Sequence, residues 1–221
     1  MLTRDFLLKA DCRTAFGDID ETLLWTGEQR EASLCETLAR RPGRGPVWVF
    51  GYGSLMWNPA FEFDDARAGR LTGWHRAFCL RLTAGRGTAC KPGRMLALRE
   101  GGETVGMAFR IPENELDAEL PLLWKREMIT GCYLPTWCHI ALDDGREIDA
   151  LVFIMDSRHP LFEGDTRPEV IAPLIAGASG PLGTNAQYLF SLAQQCQKMG
   201  IVDESMERLN HLVQQLHQPG A

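Results

Sequence analysis

The chain has 221 residues, 45% of them apolar and 24% charged, with a formal net charge of −6. That length suits one domain, or one domain with helical extensions, and is ample for a hydrophobic core. The acidic balance without a basic patch argues against a nucleic-acid partner, and no run approaches the roughly 20 apolar residues of a membrane span.

The seven cysteines, Cys12, Cys35, Cys79, Cys90, Cys132, Cys138 and Cys196, form no C-x-x-C motif. An odd count at scattered spacing is neither a disulfide framework nor a zinc ribbon. Reduced thiols and a cytoplasmic location are expected. Residues 1–16 lack the apolar stretch of a signal peptide.

Residues 3–41 read as helical. Thr3 suits the cap of a segment carrying Phe6, Leu7 and Ala10, and residues 21–41 place Leu23, Leu24, Leu34 and Leu38 among charges. Pro42-Gly43-Arg44-Gly45-Pro46 stops this run. Residues 1–45 are therefore expected to be a helical extension packed on a main domain of residues 46–221.

Residues 47–112 read as β-rich, with strands at 47–50, 70–82, 94–99 and 104–111 and turns at Gly85-Arg86-Gly87 and Glu100-Gly101-Gly102. Gly69, Gly73 and Gly106 suit bulges in a tightly curved sheet. The first strand, Val47-Trp48-Val49-Phe50, breaks at once into Gly51-Tyr52-Gly53-Ser54, followed by Leu55. Two readings of this break stay open. It is a simple bulge or hairpin turn, or its backbone N–H groups receive a carboxylate or a developing oxyanion. A dinucleotide fingerprint is excluded because Met56 stands where its third glycine belongs, and no P-loop sequence follows.

Pro112-Glu113-Asn114-Glu115 opens a helix expected to run towards Ile129 and end near Gly131, with a kink or restart at Pro121. Along it, Leu116, Leu120, Leu123 and Glu127 follow steps of four, three and four and share one stripe. A glutamate continuing a leucine stripe faces the core or a pocket. Burial and the nearby helix C-terminus both disfavour its charge and bring its pKa towards the range of an effective general base. The competing reading is a buried ion pair with Arg76, Arg81 or Arg110.

A hairpin across Asp143-Asp144-Gly145 is expected to join strands 133–141 and 147–155, followed by helices over 167–176, 186–199 and 205–217, the second capped by Thr184 or Asn185. Helices, strands, one helix, strands and helices in that order give an α+β fold with a small, largely self-contained sheet or barrel. His75, His139, His159, His211 and His217 show no metal-binding spacing. Cys132 reads as a small buried thiol, Asn185 and Tyr188 as a cap and a core aromatic, and Arg76, Arg81, Arg86 and Arg94 as solvated or anion-holding.

Four blocks together resemble one family. Phe50-Gly51-Tyr52-Gly53-Ser54-Leu55, then Pro92-Gly93-Arg94, then Arg126-Glu127 with Gly131 and Tyr133, then Asn185-Ala186-Gln187-Tyr188-Leu189, are similar to the ChaC glutathione-specific γ-glutamylcyclotransferases. The resemblance spans about residues 46–195 in order. It implies a γ-glutamylcyclotransferase-like fold, a small mixed β-barrel with flanking helices. It also implies a reaction that needs no metal or other cofactor and turns glutathione into 5-oxoproline and cysteinylglycine. Phe50, Gly51, Tyr52, Gly53, Ser54 and Leu55 are then the γ-glutamyl-binding turn, and Glu127 the general acid/base. A cyclotransferase for other γ-glutamyl amines is the alternative with the same turn and base, and a non-catalytic regulator of cation transport the alternative from another class.

Overall fold

The computed structural model describes residues 3–9, 16–17 and 19–217. Ala10 and Cys12 lie outside them. Five strands close into a barrel in the order β1–β3–β2–β4–β5: β1 (Val47–Gly51), β2 (Asp65–Leu82), β3 (Gly93–Ile111), β4 (Tyr133–Leu142) and β5 (Glu147–Met155). The parallel pair β1/β5 makes the closure, with Trp48 opposite Ala150 and Val49 opposite Leu151. The other four pairings are antiparallel.

Every residue of β1 is buried, as its unbroken apolar run requires of a strand covered on both faces. Trp48 and Phe50 share one cluster with Leu71, Ile140 and Val152 and with three C-terminal helices that supply Ile171, Leu189 and Leu209. Val47 and Val49 belong to the opposite cluster with Phe109, Leu151 and Phe153, and with Leu120, Leu123 and Trp124 of the central helix. The barrel is thus clamped between two helical layers.

Two sequence expectations change in β3. The strands expected at 94–99 and 104–111 are one strand of 19 residues. Glu100-Gly101-Gly102 is a bulge within it, not a turn. Pairing jumps from Thr72–Glu103 to Trp74–Glu100, and Gly73, Gly101 and Gly102 take φ values of +89°, +99° and +70°. Such an irregularity bends a long ladder without ending it. Gly69 and Gly106, by contrast, pair directly and sit where strands crowd. A Cβ on Gly106 would lie 2.4 Å from the Gly51 carbonyl oxygen.

Among the described residues, the α-helices α1 (Arg4–Leu8) and α2 (Gly27–Ala39) precede the barrel. The latter begins at Gly27 rather than Glu21, because Thr26 and Gln29 form a reciprocal capping box there. The central helix α3 (Leu116–Glu127) follows a 3-10 turn at Glu113–Glu115 and passes through Pro121 without a restart. Pro121 faces solvent, while the neighbouring Leu120, Leu122, Leu123 and Trp124 are buried. Their burial outweighs one missing backbone hydrogen bond. The helix ends at Glu127 and not near Ile129, since Met128 (φ −105°, ψ 31°) already leaves helical geometry. The N-terminal segments lie along α3. Lys125 Nζ donates to the Leu7 carbonyl at 2.6 Å, and Trp25 N donates to that of Ile129 at 2.9 Å.

After β5 come α4 (Pro168–Gly177), the two-residue strands β6 (Ser179–Gly180) and β7 (Gly183–Thr184), α5 (Asn185–Lys198) and α6 (Glu204–His217). Thr184 caps α5 through a second capping box, with Gln187. Among the described residues no helix is long and apolar enough to cross a membrane.

Candidate active site

Where β1 ends, the chain makes one 3-10 turn over Ser54–Met56. Met56 N donates to Gly53 O at 2.9 Å and Trp57 N to Ser54 O at 3.3 Å. The first amides of a helical turn have no partner inside it. Accordingly, the amides of Gly53, Ser54 and Leu55 donate to no backbone carbonyl among the described residues. Both glycines answer to crowding. A Cβ on Gly51 would meet Leu55 Cβ at 2.8 Å, and one on Gly53 would meet Tyr188 Oη at 3.1 Å. Tyr52 is fixed at both ends. Its hydroxyl donates to the Phe153 carbonyl at 2.6 Å, and its own carbonyl accepts from Arg76 Nε at 2.8 Å.

Glu127 stands at the last position of α3, its side chain 17% exposed. The cation beside it is Arg126, whose Nε lies 2.9 Å from Glu127 Oε1. None of the three arginines considered from sequence holds it. Arg76 is spent on the Tyr52 and Val105 carbonyls, Arg110 pairs with Asp64 at 2.8 Å, and Arg81 is exposed on β2. Arg126 is itself 4% exposed in its side chain. It donates to Ser54 Oγ at 2.9 Å, to the Pro59 carbonyl at 3.1 Å and to the Asn58 carbonyl. One guanidinium therefore joins the turn after β1 to the carboxylate at the end of α3. Sequence reasoning gave Arg126 no task, although its adjacency to Glu127 was the available signal.

A cavity of about 190 Å³ opens here, with Tyr52, Gly53, Ser54, Leu55 and Glu127 among its lining residues. Phe50 and Gly51 do not line it. Phe50 is fully buried among the barrel side chains and Gly51 lies behind the turn. The chain's three tyrosines, Tyr52, Tyr133 and Tyr188, all face this cavity. Burial raises the pKa of each, with the Glu127 charge as a further cause, so all three stay neutral hydroxyls. Tyr188, read from sequence as a core aromatic, is thus also a wall of the site. Cys132 lines it too, but burial pushes its thiol up to about 12, which leaves no thiolate for nucleophilic attack.

Of the remaining candidates, Arg81 and Arg86 reach the cavity walls and Asn185 is structural. Asn185 is fully buried and clips the start of β3, accepting from Arg94 N at 2.7 Å and donating to Arg94 O at 2.9 Å. Among the described residues no three His, Cys, Asp or Glu side chains gather as a metal site.

Burial raises the pKa of Glu127, and Arg126 opposes this only in part. A carboxylate of raised pKa keeps its proton to a higher pH than a free glutamate and can serve in turn as base and acid. The adjoining free amides suit a developing oxyanion. The tyrosine-rich walls are neutral hydroxyls and do not compete with Glu127 as acids.

The chain is similar in sequence and in fold to other proteins. The model of the ChaC-like protein family matches residues 47–216. The chain is 70% identical over 209 residues to the glutathione-specific gamma-glutamylcyclotransferase of Escherichia coli (strain K12), covering 95% of this chain and 90% of that protein. It is 33% identical over 158 residues to glutathione-specific gamma-glutamylcyclotransferase 1 of Homo sapiens, covering 70% and 71%. A crystal structure of the yeast gamma-glutamyl cyclotransferase specific to glutathione superposes with a TM-score of 0.72 at 22% identity, over 80% of this chain and 100% of that one, which is a likeness of fold. With its model spanning most of the chain and a relative sharing 70% of aligned residues, the chain belongs to the ChaC family.

Proposed function

We propose that this chain is a γ-glutamylcyclotransferase that cleaves glutathione into 5-oxoproline and cysteinylglycine. The observation that carries the reading is the placement of Glu127, a carboxylate of raised pKa, in the same cavity as the free amides of the turn after β1. The name of the 70% identical relative supports the choice of substrate.

The reaction is internal to the substrate. The α-amine of the glutamyl unit attacks its own side-chain amide carbon. A new C–N bond closes a five-membered lactam and the C–N bond to cysteine breaks. The amine loses one proton and the leaving nitrogen gains one, so no water or cofactor is consumed. Glu127 takes the first proton and delivers the second. The amides of Gly53, Ser54 and Leu55 receive the oxyanion of the tetrahedral intermediate, each such donor being worth about 3–4 kcal/mol in comparable sites. Folding the glutamyl chain into its reactive conformer lowers the barrier by up to roughly 7–11 kcal/mol. Residues 46–221 form the catalytic unit and residues 1–45 an extension to it. A cytoplasmic setting accords with six described cysteines that are all unpaired.

The test is product analysis. Purified protein is incubated with glutathione, and 5-oxoproline and cysteinylglycine are measured, with γ-glutamylalanine and oxidised glutathione alongside. Equimolar release of both products from glutathione is expected. Cleavage of γ-glutamylalanine in preference would keep the chemistry and change the substrate. No product from any of the three, with the protein folded, would leave a binding protein.

A further inference from the structure

The cavity does not end at the turn. A second lobe of about 130 Å³ adjoins it, and Ser54, Met95, Arg126 and Tyr188 face both. Glu127 faces only the first lobe, and Arg86 only the second.

Arg86 is held firmly. It follows Gly85, whose φ of +72° favours glycine, and three hydrogen bonds lock this corner. Gly85 N donates to Phe16 O at 2.6 Å, Leu182 N donates to Gly85 O at 2.8 Å, and Arg86 N donates to Ala84 O at 2.9 Å. The guanidinium itself makes one contact, Nη1 to the Thr184 carbonyl at 2.9 Å. Its Nε and Nη2 have no hydrogen-bond partner among the described residues, yet neither is sealed from solvent.

Most other described arginines are already engaged, and Arg81, which is not, is exposed and faces the first lobe. Arg67, Arg110 and Arg146 pair with carboxylates, Arg126 is divided among the turn and Glu127, and Arg76 holds two carbonyls. Among the described residues no carboxylate lies within ion-pair distance of Arg86. A half-buried guanidinium with two free donors in a cavity matches a carboxylate, which its planar fork binds in bidentate fashion.

We infer that the second lobe is the leaving-group subsite and that Arg86 binds the terminal carboxylate of the departing dipeptide. This rests on the reading above, in which the γ-glutamyl unit lies beside Glu127. The scissile amide then sits at the turn shared by the two lobes. The dipeptide extends past Ser54 and Tyr188 into the second lobe, where its one carboxylate meets Arg86. A γ-glutamyl amine without that carboxylate leaves the cation unpaired, which is how a site rejects an otherwise similar substrate. Arg86 is thus a specificity residue and takes no part in proton transfer.

The test compares glutathione with its glycyl monoethyl ester, which lacks the terminal charge and keeps the reacting atoms. In the unaltered protein kcat/KM for glutathione should exceed that for the ester by about ten- to a hundredfold, mostly through KM. In Arg86→Gln this ratio should fall towards one, and Arg86→Lys should keep part of it. A purely structural role for Arg86 would lower both rates and leave the ratio unchanged, which would overturn the inference. So would equal cleavage of both substrates by the unaltered protein, a comparison that stands even if Arg86→Gln does not fold. Failure of the unaltered protein to cleave either substrate would instead remove the cyclotransferase reading on which the inference depends.

Discussion

The two ends of α3 carry the same side chain in opposite electrostatic states. Glu119, at the fourth position, is 1% exposed. It takes two hydrogen bonds from Arg4, one of them at 2.6 Å, and a third from Glu62 N at 3.0 Å. Burial pushes its pKa up, but these donors outweigh it and the net direction is down. Glu127, at the last position, has one cation, and that cation divides its donors among four acceptors. Here burial wins and the pKa rises. Burial alone therefore does not make a base. The donors committed to the carboxylate decide whether it is a strut or a proton carrier.

The largest expected effect is at the carrier. Glu127→Gln keeps size and removes the exchangeable charge, and kcat should fall about 10²–10⁴-fold. In the unaltered protein kcat/KM should rise with pH through an apparent pKa above the ordinary 4.5 of a glutamate. That limb should vanish in the residual activity of the variant; a limb that survives would assign it to another group. Stability should move the other way. A carboxylate whose folded pKa is raised holds its proton more tightly when folded, so its contribution falls as pH rises from the unfolded value through the folded one. At pH 7 the Gln variant should thus be no less stable than the parent in urea unfolding.

At the strut the signs invert. The folded pKa of Glu119 is lowered, so its stabilisation is complete above the unfolded value of 4.5 and disappears as pH falls through the folded value. Glu119→Gln should cost about 1.5–3 kcal/mol at pH 7, the range for hydrogen bonds to a charged group. The difference from the parent should shrink in urea titrations taken down to pH 3. Turnover per folded molecule should hold, because Glu119 does not line the cavity. A loss of kcat comparable to that of Glu127→Gln would show that the two ends of the helix are not separate in function.

The carrier was legible in the sequence and the strut was not. Counting along α3 puts Glu127 on the stripe of Leu120 and Leu123, and that count is local. The neutralisation of Glu119 depends on Arg4, 115 residues away, and no local pattern announces it. The same distinction runs through the fold. β1, its turn and the capping residue Thr184 follow from neighbours in the chain. The Glu100-Gly101-Gly102 bulge looks locally like a turn because both favour glycines at positive φ; only the register against Gly73 on the facing strand separates them. Family resemblance places the whole turn at the substrate, whereas the cavity is lined by its last four residues, Tyr52 to Leu55. Phe50 and Gly51 shape those four from behind, one by filling the barrel and the other by admitting Leu55.

The smaller effects probe the link between turn and base. Arg126→Lys keeps the positive charge but loses the planar fork that serves several acceptors. It should cost about 2 kcal/mol, roughly thirtyfold in kcat, and the weakened contact should move the acid limb of the pH profile further up. An unmoved limb would mean that burial alone sets the Glu127 pKa. Ser54→Ala removes one acceptor, the hydroxyl 2.9 Å from Arg126 Nη2. Its expected cost is about 0.5–1.5 kcal/mol, roughly two- to tenfold in kcat. The pH limb should stay in place, because the Arg126 contact to Glu127 uses a different nitrogen. If Ser54→Ala shifts the limb as Arg126→Lys does, the hydroxyl is what aims the guanidinium at the base. If it only slows turnover, the carbonyls of Asn58 and Pro59 hold Arg126 in register and the hydroxyl serves the turn alone.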